Sequence, residues 1–235
     1  MTPLDVEDAP QARATAGTEP DGTGSGSDVL QAVTAARLVP VVVLDDAADA
    51  APLAGALMAG GLPVAEVTFR TAAAADAIRA MSQRGDILVG AGTVLTPAQV
   101  DVAVAAGARF VVSPGLSRAV VERCHEHGVL PLPGAVTATE IQAAIELGLT
   151  TVKFFPAGTS GGAAAIAALT GPFTGMRFIP TGGIGPADVQ DYLGIAAVAA
   201  VGGSWMVPRD RVRDRDFDTV RRLTAEALAL VRPSA

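Results

Sequence analysis

A single cysteine occurs among the 235 residues, so the chain cannot build an internal disulfide framework and suits a reducing compartment. No apolar run approaches the roughly 18 residues that cross a membrane. The N-terminus lacks a basic segment followed by an apolar one, so no signal peptide is expected. The net charge of -7 disfavours a general nucleic-acid or membrane surface. We therefore expect a cytoplasmic protein that binds neither nucleic acid nor membrane.

Residues 1–27 differ in composition from the rest of the chain. They carry five acidic residues against Arg13 and end in a run of glycine, serine and threonine over 22–27. Such a mixture buries too little apolar surface to offset the entropy of ordering, so we predict a disordered tail. Asp28 is predicted to cap a short helix over 29–36, and residues 28–235 are predicted to form one domain.

From residue 38 onward, short β-branched runs alternate with segments rich in alanine and leucine. The predicted strands span 39–44, 64–69, 87–91, 110–114, 129–133, 151–155, 177–181 and 198–202. The predicted helices span 46–59, 72–83, 97–106, 117–127, 138–147, 161–169, 186–193 and 216–231. Such alternation produces right-handed βαβ units and a parallel sheet. Eight units in about 200 residues indicate a single α/β domain, a (β/α)8 TIM barrel, rather than an open doubly wound sheet.

Lys153 is the only lysine in a chain that carries sixteen arginines, and it lies inside an apolar β-type run. An ammonium can lose its proton at an accessible pH, whereas a guanidinium effectively cannot. A neutral amine is the nucleophile that forms a Schiff base with a carbonyl substrate. The alternative is that one lysine survives by chance, with its stem along an apolar surface.

Working residues of a (β/α)8 enzyme lie at the C-terminal ends of its strands, where this chain places several polar residues. Strand alternation puts Glu66, Thr68 and Arg70 on the inner face of the second strand. The same alternation turns Lys153 and Phe155 inward from the sixth strand. A carboxylate, a hydroxyl and a guanidinium inside a barrel are costly unless they bind something. A buried ion pair between Glu66 and Arg70 is the competing interpretation.

Three glycine-rich loops follow the third, seventh and eighth predicted strands. The third strand ends at 90–93, where glycine lets a ligand approach the backbone and Thr93 adds a hydroxyl. Residues 181–185 and 202–204 follow the last two strands, where these barrels bind phosphate through backbone N–H groups. Plain turn glycines are the competing interpretation. If these loops bind phosphate, the substrate carries a phosphate at one end and needs neither a P-loop nor Mg²⁺.

One short run, Cys124-His125-Glu126-His127, contains metal-ligand residue types and both histidines of the chain. The two histidines stand two residues apart at a predicted helix end, so they lie on different faces. This end is expected near the rim of the barrel opposite the active one. We therefore expect a solvated helix end, with no metal site and no cofactor.

Seven motifs occur in order along the chain. They are Glu66-Val-Thr-Phe-Arg70-Thr, Gly90-Ala-Gly-Thr93, Ser113-Pro-Gly-Leu116, Pro133-Gly-Ala, Val152-Lys153-Phe-Phe-Pro156-Ala, Pro180-Thr-Gly-Gly-Ile184 and Gly202-Gly-Ser-Trp205. Together they resemble the bacterial 2-keto-3-deoxy-6-phosphogluconate (KDPG)/4-hydroxy-2-oxoglutarate (KHG) aldolase family. The resemblance runs from about residue 29 to the end of the chain and touches almost every predicted strand.

The resemblance implies a role for each matching residue. Lys153 would form the Schiff base, and Glu66 would shuttle protons. Arg70 and Thr93 would hold the pyruvyl carboxylate, and Thr181 would meet a substrate hydroxyl. Because it points inward, Phe155 is assigned to the substrate-binding surface. The residues that fall on the family's phosphate-binding positions are Gly182, Gly183, Gly203 and Ser204.

The resemblance implies a class I aldolase that cleaves KDPG to pyruvate and glyceraldehyde 3-phosphate, as a homotrimer without a metal. Within the same chemistry, the substrate could be the galactonate epimer or unphosphorylated 4-hydroxy-2-oxoglutarate. A phosphate-binding isomerase or epimerase, in which Lys153 only pairs with an anion, is a different enzyme class. A non-catalytic barrel that binds sugar phosphates or acts as a scaffold is a third possibility.

Overall fold

The computed structural model describes residues 25–231, and most of the predicted tail over 1–27 therefore lies outside the described residues. Strands and helices alternate along the described chain. The strands are β1 Leu38–Val42, β2 Val64–Thr68, β3 Leu88–Gly92, β4 Phe110–Ser113, β5 Leu130–Pro133, β6 Thr151–Phe154, β7 Arg177–Pro180 and β8 Val201–Gly203. The helices are α1 Gly26–Ala35, α2 Ala50–Ala59, α3 Ala74–Ser82, α4 Pro97–Ala105, α5 Arg118–Glu126, α6 Ala138–Glu146, α7 Gly162–Thr170, α8 Val189–Leu193, α9 Arg209–Arg213 and α10 Phe217–Val231.

The strands form a parallel α/β arrangement of two sheets. Six strands pair in the order β5-β4-β3-β2-β1-β8, and β6 pairs with β7 in a two-stranded sheet. All of these pairings are parallel, as the strand–helix alternation predicts. The prediction of a parallel α/β fold is therefore confirmed, whereas across residues 25–231 a continuous eight-stranded ladder is not observed.

The break between the two sheets has a cause in the sequence of β5. This edge strand reads Leu130-Pro131-Leu132-Pro133, and its two prolines have no N–H to donate to a further strand. Contact between β5 and β6 is reduced to an isolated bridge between Gly134 and Lys153, beside which Ala135 donates its N–H to the carbonyl of Lys153 at 2.9 Å. Two more isolated bridges join the strands at the other junction, between Phe178 and Val198 and between Thr181 and Gly202.

Most elements lie within a few residues of their predicted ranges, and three differences are larger or of another kind. Helix α1 begins earlier than predicted because Ser25 is its N-cap and Asp28 lies in its first turn, where its side chain accepts the N–H of Ser25 at 2.8 Å. The assignment of Asp28 as N-cap was therefore wrong. Helix α9 was not predicted, and the eighth strand begins at Val201 rather than at residue 198.

Apolar side chains fill the space between the sheets and the helices. Three phenylalanines have no appreciable exposure, namely Phe154, Phe178 and Phe110, the last of which lines an interior cavity together with Lys153 and Glu66. Phe154 on β6 and Phe178 on β7 pack edge to face, with ring centroids 6.4 Å apart. Within residues 25–231, no helix is long and apolar enough to cross a membrane.

Candidate active site

A buried lysine and a buried glutamate meet inside the molecule. Lys153 on β6 and Glu66 on β2 are 87 residues apart in sequence, yet Nζ of the lysine donates to Oε1 of the glutamate at 3.2 Å. Lys153 is 7% exposed and Glu66 is 3% exposed. The expectation that both side chains turn inward is met, and the amine does not lie along the surface as the chance interpretation required. The competing Glu66–Arg70 pair is wrong, because Glu66 pairs with Lys153 and Arg70 is exposed.

The surroundings of this pair are mostly apolar. A small interior cavity next to the two charged groups is lined by Val39, Phe110, Val112, Leu132, Ile179 and Thr181. The ring of Phe155 lies with its centroid 5.1 Å from Nζ of Lys153, which places the amine over an aromatic face. Charges in such a setting interact strongly and lose much of their hydration, so each group depends on its partner.

Two glycines on β3 make room for interior side chains rather than for a ligand. A β-carbon on Gly92 would lie 2.2 Å from Oε1 of Glu66, and one on Gly90 would lie 2.2 Å from Cε2 of Phe110. The sequence-based expectation was that glycine at these positions lets a ligand approach the backbone. The side chains of Phe110 and Glu66 are sufficient to explain glycine at both positions.

Thr68 has a structural partner. Its hydroxyl donates to the carbonyl of Val42 at 2.9 Å and ties β2 to β1. Its polarity inside the molecule therefore does not require a ligand, in contrast to what the alternation of β2 predicted. The remaining polar residues of that stretch are Glu66, within the strand, and Arg70, in the turn after it.

A cleft of about 350 Å³ opens beyond the C-terminal ends of the strands. It brings together the predicted site residues Arg70, Phe155, Thr181, Gly182, Gly183, Gly203 and Ser204. Thr93, which follows β3 with a left-handed φ of 56°, is not among the residues that line it. Thr181 lines both this cleft and the interior cavity beside Lys153 and Glu66. The cleft and the buried amine are thus neighbours on either side of Thr181.

The backbone at the β7 and β8 ends of the cleft has unusual geometry. Gly182 and Gly183 have φ values of 93° and 75°, which side chains with a β-carbon rarely adopt. A β-carbon on Gly203 would lie 1.8 Å from the ring of Trp205. Within residues 25–231, no acceptor is found for the backbone N–H of Gly183 or Ser204, whereas the N–H of Gly182 faces Gly202 in the bridge between Thr181 and Gly202. Neighbouring unpaired N–H groups are what an anion site needs, because each can donate to an oxygen of the anion.

Several residues that line the cleft had no counterpart in the sequence-based prediction. They are Val41, Val43, Val207, Pro208 and Arg209, whereas Ile184 belongs to the predicted loop 181–185. The valines follow from the position of β1 next to β8, which requires the sheet order. Arg209 begins α9, and its place beside the cleft becomes visible only when that short helix is known.

The histidine-containing run on α5 lies in an ion-pair network. Asp101 on α4 accepts from Nε of Arg123 at 2.6 Å and contacts Nε2 of His127 at 2.7 Å. The hydrogen bonds from Arg123 and His127 lower the pKa of the Asp101 carboxyl below its ordinary value. Over residues 25–231, no group of three or more His, Cys, Asp or Glu side chains is arranged to hold a metal ion.

Comparison with known proteins places these features in a family. The family described as KDPG and KHG aldolase matches residues 29–223. A protein of Treponema pallidum (strain Nichols), named 2-dehydro-3-deoxy-phosphogluconate aldolase, is 48% identical over 204 residues, which cover 86% of this chain and 97% of that protein.

Two solved structures are also similar. KDPG aldolase from Legionella pneumophila, with pyruvate captured as a covalent carbinolamine intermediate, aligns with a TM-score of 0.82 and 38% identity over 85% of this chain and 97% of that one. The 2-keto-3-deoxy-6-phosphogluconate aldolase of Zymomonas mobilis ZM4, with 3-phosphoglycerate, aligns with a TM-score of 0.83 and 40% identity over 88% and 98% of the two chains. With a buried lysine–glutamate pair beside a glycine-lined cleft and these relatives, the chain belongs to the KDPG and KHG aldolase family.

Proposed function

We propose that this protein is a class I aldolase that cleaves 2-keto-3-deoxy-6-phosphogluconate to pyruvate and glyceraldehyde 3-phosphate. The observation that carries the proposal is the contact of 3.2 Å between Lys153 and Glu66, next to a cleft that has unpaired N–H groups at one end. A primary amine for the ketone and a carboxylate for proton transfer are the two groups that this chemistry needs. The names of the relatives agree with it.

Lys153 acts as the nucleophile in this proposal. Its neutral amine attacks the C2 ketone and forms a carbinolamine, and loss of water gives a protonated imine. A carbinolamine with pyruvate was captured in the similar Legionella enzyme. The imine then accepts the electron pair of the C3–C4 bond, which breaks as the C4 hydroxyl loses its proton. Glyceraldehyde 3-phosphate leaves, the enamine gains a proton at C3, and water releases pyruvate and restores the amine.

Glu66 moves the protons of these steps. Its carboxylate is already hydrogen-bonded to Nζ of Lys153, so it can accept a proton from the amine before attack. It removes the C4 hydroxyl proton, directly or through a water, and returns a proton to the enamine. The apolar lining around the pair restricts competing water at this point.

Arg70, Thr93 and Phe155 are proposed to hold the pyruvyl end of the substrate. The guanidinium of Arg70 can make a two-point contact with the carboxylate, and it lines the cleft together with the ring of Phe155. The role of Thr93 is carried over from the resemblance, since Thr93 lies outside the cleft lining. Thr181 is proposed to meet a substrate hydroxyl, because it stands between the cleft and the amine.

The phosphate is proposed to lie at the opposite end of the cleft. Gly183 and Ser204 offer N–H groups for which no acceptor is found within residues 25–231, and Gly182 and Gly203 line the same end. Binding at this remote end positions the C3–C4 bond relative to Lys153. This arrangement favours the phosphorylated substrate over 4-hydroxy-2-oxoglutarate, which the name of the family also includes.

We further infer that residues 28–235 form one aldolase domain in which the strands close into an eight-stranded barrel. The isolated bridges at both junctions between the two sheets support closure. A homotrimer is proposed from the resemblance, and the exposed apolar side chains of Leu95, Val102 and Ile145 are surfaces that association would cover. Sedimentation velocity measures this state directly. A cytoplasmic location is proposed from the cysteine content.

Borohydride reduction in the presence of pyruvate tests the assignment. The expected result is a reduced pyruvyl group on the single tryptic peptide that contains Lys153, together with loss of activity. The Lys153→Arg variant should fold, gain no adduct and lose turnover. An isomerase or a non-catalytic barrel would gain no adduct at all. The proposal would be overturned if the wild-type protein formed no adduct, or if Lys153→Arg retained turnover.

A further inference from the structure

The outer part of the cleft holds a charged pair that the aldol steps do not use. Arg209, the first residue of α9, lines the same cleft as Gly203 and Ser204. Its Nε donates to Oδ2 of Asp45 at 3.0 Å, and its Nη2 donates to Oδ1 at 2.5 Å. Asp45 lies in the loop that follows β1. The pair therefore joins the loop after the first strand to the helix after the last one.

This two-point contact fixes the plane of the guanidinium and leaves part of it available. A guanidinium has five N–H donors, and Asp45 takes two of them, so donors remain for another oxygen ligand. The fork geometry of arginine matches the paired oxygens of phosphates and carboxylates. The side chain of Arg209 is 61% exposed, so a molecule in the cleft can reach it.

The charged residues that line the cleft come from two different parts of the chain. Of the residues that line it within the described range 25–231, Arg70 and Arg209 are the two that carry a charge. Arg70 follows β2, whereas Arg209 follows β8 and the segment with Gly203 and Ser204. The proposed substrate is itself anionic at both ends, with a carboxylate at C1 and a phosphate at C6. One guanidinium for each end is the simplest match.

We propose that Arg209 is a specificity-determining residue that favours substrates ending in a phosphate over those ending in a hydroxyl, and that Asp45 positions it. This inference rests on the proposed aldolase function and adds a cationic side chain to a phosphate end otherwise made of backbone N–H groups. A purely structural ion pair at the surface contributes little to stability because it is solvated and screened. A structural ion pair and a specificity-determining residue can be distinguished experimentally, because only loss of the latter changes the kinetics of the phosphorylated substrate and not those of the dephosphorylated one.

Steady-state kinetics with KDPG and with its dephosphorylated counterpart, 2-keto-3-deoxygluconate, tests the proposal. For Arg209→Ala we expect KM for KDPG to rise about five- to tenfold with kcat nearly unchanged, since one exposed charge-assisted contact is lost. The kcat/KM for the dephosphorylated substrate should stay at the wild-type value. For Arg209→Lys, KM for KDPG should lie between the values of the wild-type protein and of Arg209→Ala, because lysine keeps the positive charge and lacks the two-point geometry of the guanidinium.

Arg211→Ala is the matched control. Arg211 lies on the same helix, pairs with Asp210 and Asp216, and is not among the residues that line the cleft. Its removal should leave the kinetics of both substrates unchanged. An equal change for the two substrates in Arg209→Ala, or no change for either, would overturn the specificity role.

The positioning role of Asp45 is tested by a double-mutant cycle of Asp45→Ala and Arg209→Ala. A residue that acts through Arg209 contributes to KM for KDPG only when Arg209 is present, so the effects of the two substitutions should not add. Additive effects would remove Asp45 from the proposal. The pyruvate trap on Lys153 separates the two levels of inference. If the wild-type protein forms no adduct, the aldolase function fails, whereas adducts in every variant with an unchanged substrate ratio defeat only the role of Arg209.

Discussion

Gly92 on β3 leaves the space that the carboxylate of Glu66 on β2 occupies. A β-carbon at residue 92 would lie 2.2 Å from Oε1 and 2.6 Å from Cγ of Glu66, well inside van der Waals contact. The two residues belong to paired strands, so the backbone of neither can move away without disturbing the ladder between β2 and β3. The position of the proposed proton carrier is therefore set by a missing side chain on the adjacent strand.

Gly92→Ala should lower kcat for KDPG about 10²-fold, because displacement of a reacting group by about 1 Å costs that much. Lys153 remains, so pyruvate should still be trapped by borohydride. Gly175→Ala is the control, since a β-carbon at residue 175 meets nothing within 4 Å. A kcat in Gly92→Ala equal to that of the control would show that Glu66 tolerates displacement or that it does not carry the protons.

Glu66→Gln should lower kcat by about 10²- to 10⁴-fold, which is the usual contribution of a positioned acid or base. The amide keeps the size of the side chain and cannot take up a proton from the C4 hydroxyl. A protein that forms this enamine should also exchange the methyl protons of pyruvate with solvent, and we expect that exchange to slow in parallel. A coupled assay measures kcat, and NMR measures the exchange of the methyl protons.

The control for this substitution is Glu140→Gln. Glu140 lies in the first turn of α6, where its carboxylate accepts the backbone N–H groups of Val136 and Thr137, each at 2.9 Å. Its change should reduce stability modestly and leave kcat unaltered. If Glu66→Gln behaves like Glu140→Gln, the proton-transfer role of Glu66 is lost.

Some of these features follow directly from the sequence. The strand–helix alternation is local, because each strand and helix has its own apolar pattern, and the parallel pairing follows from it. Lys153 stands out because an arginine-rich chain has no other lysine. Alternation along β6 predicts that the side chain of Lys153 turns toward the interior. All four residues of this strand are buried.

Other features depend on contacts between distant parts of the chain. Alternation along β2 predicted that Glu66 and Thr68 are both inward-facing polar residues that bind a ligand. The hydroxyl of Thr68 instead donates to the carbonyl of Val42 on the neighbouring strand. The reason for glycine at residue 92 requires knowledge of the β2–β3 register, which sets Glu66 opposite Gly90 so that its side chain occupies the space beside Gly92. Arg209 lines the cleft and is hydrogen-bonded to Asp45, which lies 164 residues earlier in the chain. Local patterns do not contain these registers and partners.

Cys124 should resist thiol reagents in the folded protein. The side chain is fully buried in α5, and burial raises the pKa of the thiol from 9.0 to about 12. At pH 8 the thiolate fraction should be about 10³-fold below that of an exposed cysteine, and access is blocked as well. Reaction with 5,5′-dithiobis(2-nitrobenzoate) should therefore be absent in buffer and complete in urea.

The raised pKa also predicts the direction of a pH effect. The folded state holds the thiol proton more tightly than the unfolded chain does, so the contribution to stability is full below pH 9.0 and is lost as the pH rises toward about 12. Cys124→Ala should remove this part of the pH dependence. Rapid labelling of the native protein at pH 8 would contradict the buried position of the thiol.

Lys153→Met should destabilise the protein, because it leaves the carboxylate of Glu66 without its partner in a largely apolar interior. Removal of one member of a buried ion pair costs about 3–5 kcal/mol in the free energy of unfolding. The double variant Lys153→Met/Glu66→Gln carries no buried charge at this place, so it should recover most of the loss. Urea denaturation of the four proteins at pH 7 measures the cycle. Equal stability of Lys153→Met and the double variant would mean that water reaches Glu66 freely, in conflict with its exposure of 3%. Recovery of stability without recovery of turnover would separate the two roles of the pair, since the fold needs only that the charges match, whereas the aldol reaction needs the amine.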